Sequence, residues 1–123
     1  VLFELPFMEE PASLKDIIWQ MQSARYKPVL AHAERYQFWH QQWGKFEDMI
    51  NRGVLLQINI GSLTGIYGPE IRQVAEKLID NDMISFLGSD CHHMGHVEMI
   101  NSARTKEYVH KIVNSPKLLN NKL

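Results

Sequence analysis

Phe86-Leu87-Gly88-Ser89-Asp90-Cys91-His92-His93 closes an apolar run that starts at Ile84, and it breaks into a small turn carrying a carboxylate and two imidazoles. In extended backbone the side chains at i and i+2 lie on one side, so Asp90 and His92 aim at one point. Carboxylate oxygen and neutral imidazole nitrogen are ordinary ligands of zinc, manganese or iron. The competing structural reading makes Asp90 a helix cap and the histidines a solvated turn. A second stretch of the same design weighs against it. Pro28-Val29-Leu30-Ala31 is another short apolar run, and it ends in His32-Ala33-Glu34-Arg35-Tyr36.

Outward from these two stretches the chain alternates strand and helix. Val1 to Leu5 and Val54 to Ile60 read as further strands. The first helix opens at Pro11-Ala12-Ser13, with Ser13 and Asp16 as a capping box and Leu14, Ile17, Ile18 and Met21 as its apolar face. The spacing of Trp39, Trp43, Phe46 and Ile50 predicts an aromatic helix after Tyr36, ended by Gly53 at C′. Gly61-Ser62-Leu63-Thr64-Gly65 reads as a loop, and Pro69 as the first turn of a helix facing inward through Ile71, Val74, Ala75, Leu78 and Ile79. Val97 to Val113 reads as the last long helix, Leu118-Leu119 as the close of a short one, and Asn120 onward as a fraying end. The order βαβαβαβα implies an α/β fold with a parallel sheet and right-handed crossovers. Four such units make a parallel (β/α) half-barrel. Residues 1–123 read as the C-terminal part of a single domain, because natural chains seldom begin at a residue such as Val1 inside a strand.

Composition narrows the function classes. Net charge is −1 and no block of like charge exceeds three residues, which argues against nucleic-acid binding. The longest apolar run is far too short to cross a bilayer, so no membrane insertion is expected. The lone cysteine, Cys91, cannot form an internal disulfide, which fits a reducing cytoplasmic setting. Nor is Cys91 placed as a phosphatase nucleophile: that chemistry wants an arginine six residues on, where Val97 stands.

Position carries the functional argument. Glu4, His32, Asn59 and Asp90 each fall near the C-terminal end of a different strand, the edge where parallel α/β folds build their sites. Glu4 is either an exposed edge residue or a ligand. Arg35 suits bidentate contact with phosphate, or else a surface salt bridge with Glu34. The small-residue loop offers backbone N–H groups to an anion but lacks a P-loop lysine, and a plain strand-to-helix turn is the simpler reading. His40 and His110 read as surface, His93 and His96 as solvated, and Tyr36 and Tyr67 as loop packing or pocket wall.

Ala31-His32-Ala33-Glu34-Arg35-Tyr36, Asn59-Ile60-Gly61-Ser62-Leu63-Thr64-Gly65-Ile66-Tyr67-Gly68 and Ser89-Asp90-Cys91-His92 together resemble the bacterial capsule-biosynthesis protein-tyrosine phosphatases of the PHP (polymerase and histidinol phosphatase) superfamily. That resemblance implies part of a distorted (β/α)₇ barrel and a cluster of divalent metals, manganese first, with zinc or iron as alternatives. It implies Glu4, His32, Asp90 and His92 as metal ligands converging at one mouth, Arg35 as the catalytic arginine, and Arg35 with Ser62 at the substrate. The implied substrate is phosphotyrosine on the tail of a bacterial tyrosine kinase in capsular or exopolysaccharide regulation, hydrolysed without a covalent enzyme intermediate. The sequence departs from the family at Ala33, where proline is usual, and in lacking an arginine close behind His92. A His-x-His pair belongs upstream of Glu4. This piece alone is therefore expected to be inactive and, with two bare edge strands and one apolar sheet face exposed, to associate with a second copy or to fold poorly alone. Two other functions compete: a PHP phosphoesterase for a small substrate such as histidinol phosphate, and a non-catalytic metal-binding domain.

Overall fold

Four short parallel strands in the order β1-β2-β3-β4 form the sheet. The computed structural model describes residues 2–88, 107–115 and 118–120. β1 is Leu2–Phe3, β2 Val29–Leu30, β3 Leu55–Asn59 and β4 Phe86–Gly88. Leu2 pairs with Val29, Val29 with Leu55, and Gln57 with Phe86. Between the strands run α1 (Leu14–Ser23), α2 (Gly44–Asn51), α3 (Ile60–Thr64) and α4 (Pro69–Asp80). α5 (Glu107–Val113) follows β4. The α/β class and the parallel sheet are as expected. Each crossover moves one strand over in the same direction, as in a segment of a barrel.

Register decides the two faces. Leu30, Leu56 and Ile58 point to one side and are buried against Leu14 and Ile18 of α1, Phe46 and Met49 of α2, and Ala75, Leu78 and Ile79 of α4. The opposite face carries Leu2, Val29, Gln57 and Phe86, which line an open groove with Asn120. Leu2 is 62% exposed there.

Several elements differ from the sequence reading, for local reasons. The strands are shorter than expected, β1 and β2 having only two residues each. Ser13 precedes α1 but makes no side-chain capping bond, so there is no capping box. Ile17 turns outward while Leu14 and Ile18 are buried. The aromatic stripe is not one helix: two 3₁₀ turns, Ala33–Arg35 and Gln37–Trp39, precede α2, and Trp43 is only its cap. The rings still meet, with Trp39 edge-on to Phe46 at 5.5 Å between centroids. The glycine-rich segment is the helix α3 rather than a loop, closed by Gly65 in left-handed backbone.

The C-terminal segment also departs from expectation. Leu118 and Leu119 are not helical. The Asn120 amide accepts from Leu87 N–H at 2.9 Å and donates to Leu87 O at 2.8 Å, and Leu119 N–H donates to Ser85 O. Asn120 thus satisfies the outer edge of β4, which was expected to be bare. Of the segment Val97 to Val113, only residues from Glu107 onward are among those described.

Gly53 ends α2 as predicted, with φ +87°. Gly53 N–H donates to Ile50 O at 2.9 Å and Val54 N–H to Met49 O at 3.0 Å, the paired bonds of a Schellman motif. A side chain there must adopt left-handed backbone, so Gly53→Ala should lower unfolding free energy by about 1–2 kcal/mol. A shift in the urea midpoint at unchanged slope is the expected readout; no shift would mean that the turn relaxes.

Candidate active site

The loop after β2 carries the site, and its shape follows from three hydrogen bonds. Pairing runs one residue past the strand, with Ala31 N–H donating to Phe3 O at 2.9 Å. His32 then turns into left-handed backbone, φ 37° and ψ 54°, uncommon for a residue with a side chain. Its N–H donates to Gln57 Oε1 at 2.9 Å, and Arg35 N–H closes the turn on His32 O. This geometry lays the imidazole beside the end of β1. His32 Nε2 lies 3.4 Å from Glu4 Oε1, long for a hydrogen bond. Two donors each about 2.1 Å from one ion at a tetrahedral angle are about 3.4 Å apart. The pair therefore fits a divalent metal by chemistry and spacing. Glu4 is mostly exposed and His32 buried, with Nδ1 unpartnered among the described residues. No group of three or more possible ligands assembles among those residues, and Asp90, His92, Cys91, His93 and His96 lie outside them.

Tyr36 holds the two loops together. It is fully buried, and its hydroxyl accepts from Leu5 N–H at 2.9 Å. Burial, with the nearby carboxylates Glu4 and Glu34 adding to it, pushes the phenol up to about 12. The residue next to Glu4 is thereby pinned to the His32 loop, a role beyond loop packing.

Arg35 packs its guanidinium against aromatic rings and forms no salt bridge with a carboxylate among the described residues. Its guanidinium carbon lies 4.3 Å from the Tyr67 ring centroid and 5.0 Å from that of Phe7. Phe7 is in turn 5.2 Å from the His32 ring. Arg35, His32 and Glu4 thus share one neighbourhood. The surface salt bridge to Glu34 does not form, because Glu34 is fully buried on the other side of the loop.

Glu34 is the residue that sequence reasoning undervalued. Its Oε1 accepts from Asn59 N–H at 3.0 Å and from Ser62 Oγ at 2.5 Å. His40 Nε2 donates to its carbonyl oxygen at 2.7 Å, so His40, whose side chain is 3% exposed, is not a surface residue. Ser62, expected at the substrate, is buried and its hydroxyl is committed to Glu34. Asn59 is buried too, with both amide atoms unpartnered among the described residues. No local pattern signalled the role of Glu34, since its Asn59 and Ser62 partners lie 25 and 28 residues along the chain.

Burial raises the Glu34 carboxyl to about 7 from its ordinary 4.5, partly offset by the Ser62 and Asn59 hydrogen bonds. The folded chain then holds a proton that the unfolded chain releases. That contribution to stability is complete below pH 4.5 and is lost as pH rises through 7. Glu34→Gln keeps an acceptor for Ser62 and Asn59 and carries no charge. It should remove a fall of about 2–3 kcal/mol in unfolding free energy between about pH 5 and 8. Urea titrations across that range check this; a slope unchanged from the parent protein would place the titration elsewhere.

Comparison with known proteins places the chain among relatives of one family. The chain is 30% identical over 117 residues to CapC of Staphylococcus aureus, covering 91% of this chain and 46% of that protein. It is 30% identical over 94 residues to the tyrosine-protein phosphatase YwqE of Bacillus subtilis, covering 76% and 37%. A solved structure from work on YwqE of Bacillus subtilis and CpsB of Streptococcus pneumoniae, described as metal-dependent tyrosine phosphatases, superposes with a TM-score of 0.73 at 28% identity. That match covers 85% of this chain and 44% of the other. The chain thus spans less than half the length of each relative. The family model for capsular polysaccharide synthesis proteins of the CpsB/CapC type matches residues 1–119, and the chain belongs to that family.

Proposed function

We propose that this chain carries part of the active site of a metal-dependent protein-tyrosine phosphatase. The substrate would be phosphotyrosine on the tail of a bacterial tyrosine kinase in capsular or exopolysaccharide regulation, in a cytoplasmic setting. The observation that supports this best is the placing of an arginine without a carboxylate partner among the described residues next to the Glu4–His32 pair. Among those residues no helix is long and apolar enough to cross a membrane.

Glu4 and His32 would hold the metal, joined by Asp90 and His92, with manganese as the first candidate for this mixed nitrogen and oxygen donor set. When bound, such a cation supplies Lewis-acid charge for phosphate oxygens and acidifies a water. The remaining work falls to the chain. Arg35 binds the phosphate and offsets charge on its equatorial oxygens. Phe7 and Tyr67 hold the guanidinium by cation–π contact, which leaves its N–H groups for the anion. Tyr36 and Glu34 hold the loop, so that His32 and Arg35 keep their spacing.

In the whole protein, Arg35→Ala should reduce turnover of a phosphotyrosine peptide by roughly 30- to 1,000-fold, the loss of one transition-state contact of about 2–4 kcal/mol. Bound metal, read by elemental analysis, should stay near the parent level. Near-parent kinetics would return Arg35 to a surface role. His32→Ala should do the reverse first, with metal content falling by about 10-fold or more and activity following it. Full metal occupancy in that variant would remove His32 from the ligand set. If histidinol phosphate were turned over and the peptide were not, the substrate assignment would move to a small phosphate ester.

A further inference from the structure

Phe7 and Tyr67 have a second use. Neither belongs to the packed hydrophobic core, and Phe7 is 46% exposed. The Phe7 ring packs at 5.7 Å between centroids against that of buried Tyr36, and that contact still leaves Phe7 half-exposed. Its ring reaches from Arg35, 5.0 Å from the guanidinium carbon, to His32, 5.2 Å between ring centroids. Tyr67 flanks the same guanidinium from a different connection, the one between α3 and α4. The two rings thus flank the cation suited to phosphate, and Phe7 also borders the imidazole suited to metal.

Resting on the phosphatase reading above, we propose that Phe7 and Tyr67 form an aromatic slot that selects aryl over alkyl phosphate monoesters. The phosphate engages Arg35, and the ring one ester bond away packs against Phe7 and Tyr67 at ordinary aromatic spacing. A phosphoserine ester has no ring to offer and leaves the slot to water. The arrangement makes the pair determinants of specificity, and it differs from a role in merely holding Arg35. Rings that only steady the arginine would affect every phosphate ester alike.

The test uses the whole, metal-loaded protein with Phe7→Leu and Tyr67→Leu, and two peptides of one sequence carrying phosphotyrosine or phosphoserine. Each variant should lower the ratio of kcat/KM for phosphotyrosine over phosphoserine by about fivefold to tenfold, mainly through KM. Phe7→Tyr should restore most of that ratio. Calorimetric titration with phosphonates, which lack the ester bond to be cleaved, gives a readout without turnover: the parent should bind phenylphosphonate more tightly than methylphosphonate, and the leucine variants should lose that preference. An equal loss on both peptides, or an unchanged ratio, would overturn the slot while leaving the phosphatase reading intact. A parent protein that prefers phenylphosphonate yet cleaves no phosphotyrosine would support the slot and sink the phosphatase reading. Both rings lie outside the core, so the leucine variants are expected to fold, which circular dichroism confirms.

Discussion

The buried Glu34 carboxylate ties the site together. It sits between the His32–Tyr36 loop and the start of α3, and takes the N–H of Asn59 and the hydroxyl of Ser62 on one oxygen. Burying a carboxylate is costly unless it is hydrogen-bonded, and the rise of its pKa to about 7 expresses that cost. In return the loop acquires a fixed seat on the end of β3. His40 adds a bond to the Glu34 carbonyl, so the same residue is held through its backbone as well as its side chain. With Glu34 drawn inward, its neighbour Arg35 must project the other way, toward Phe7 and Tyr67.

The same seat accounts for the conformation of His32. Left-handed backbone at a residue with a side chain costs of order 1–3 kcal/mol and persists only where the surroundings over-determine it. Here they do: Gln57 accepts the His32 N–H, Arg35 N–H caps its carbonyl, and Glu34 anchors the loop beyond. Gly88 takes part from the next strand. A side chain there would lie 1.9 Å from Gln57 Nε2, so the glycine leaves room for the amide that receives His32. Strand pairing, a missing side chain and a strained ligand candidate thus form one chain of cause.

The sheet is unequal in its two faces. One is covered by helices and holds the core; the other presents Leu2, Val29 and Phe86 along an open groove. At the β4 edge, Asn120 and Leu119 supply the hydrogen bonds that another strand would make.

What the sequence alone determined was the alternation of elements and the edge on which chemistry collects. Short apolar runs locate the strands, though not their length, period-3.6 spacing locates α4, and Gly53 and Pro69 mark helix ends by their own backbone preferences. The placing of Glu4, His32 and Arg35 in one neighbourhood was legible because βα loops gather at one rim of a parallel sheet. The tasks of Glu34, Ser62, His40 and Phe7 were not, for each depends on which loop side turns inward, and that is set by contacts 25 and 28 residues apart for Glu34 and Ser62, by the folded loop itself for His40, and for Phe7 by rings brought together in space. A charged residue between a histidine and an arginine looks solvent-facing in one dimension. Only the packed loop, where a backbone N–H and a hydroxyl were already waiting, makes its burial the lower-energy choice.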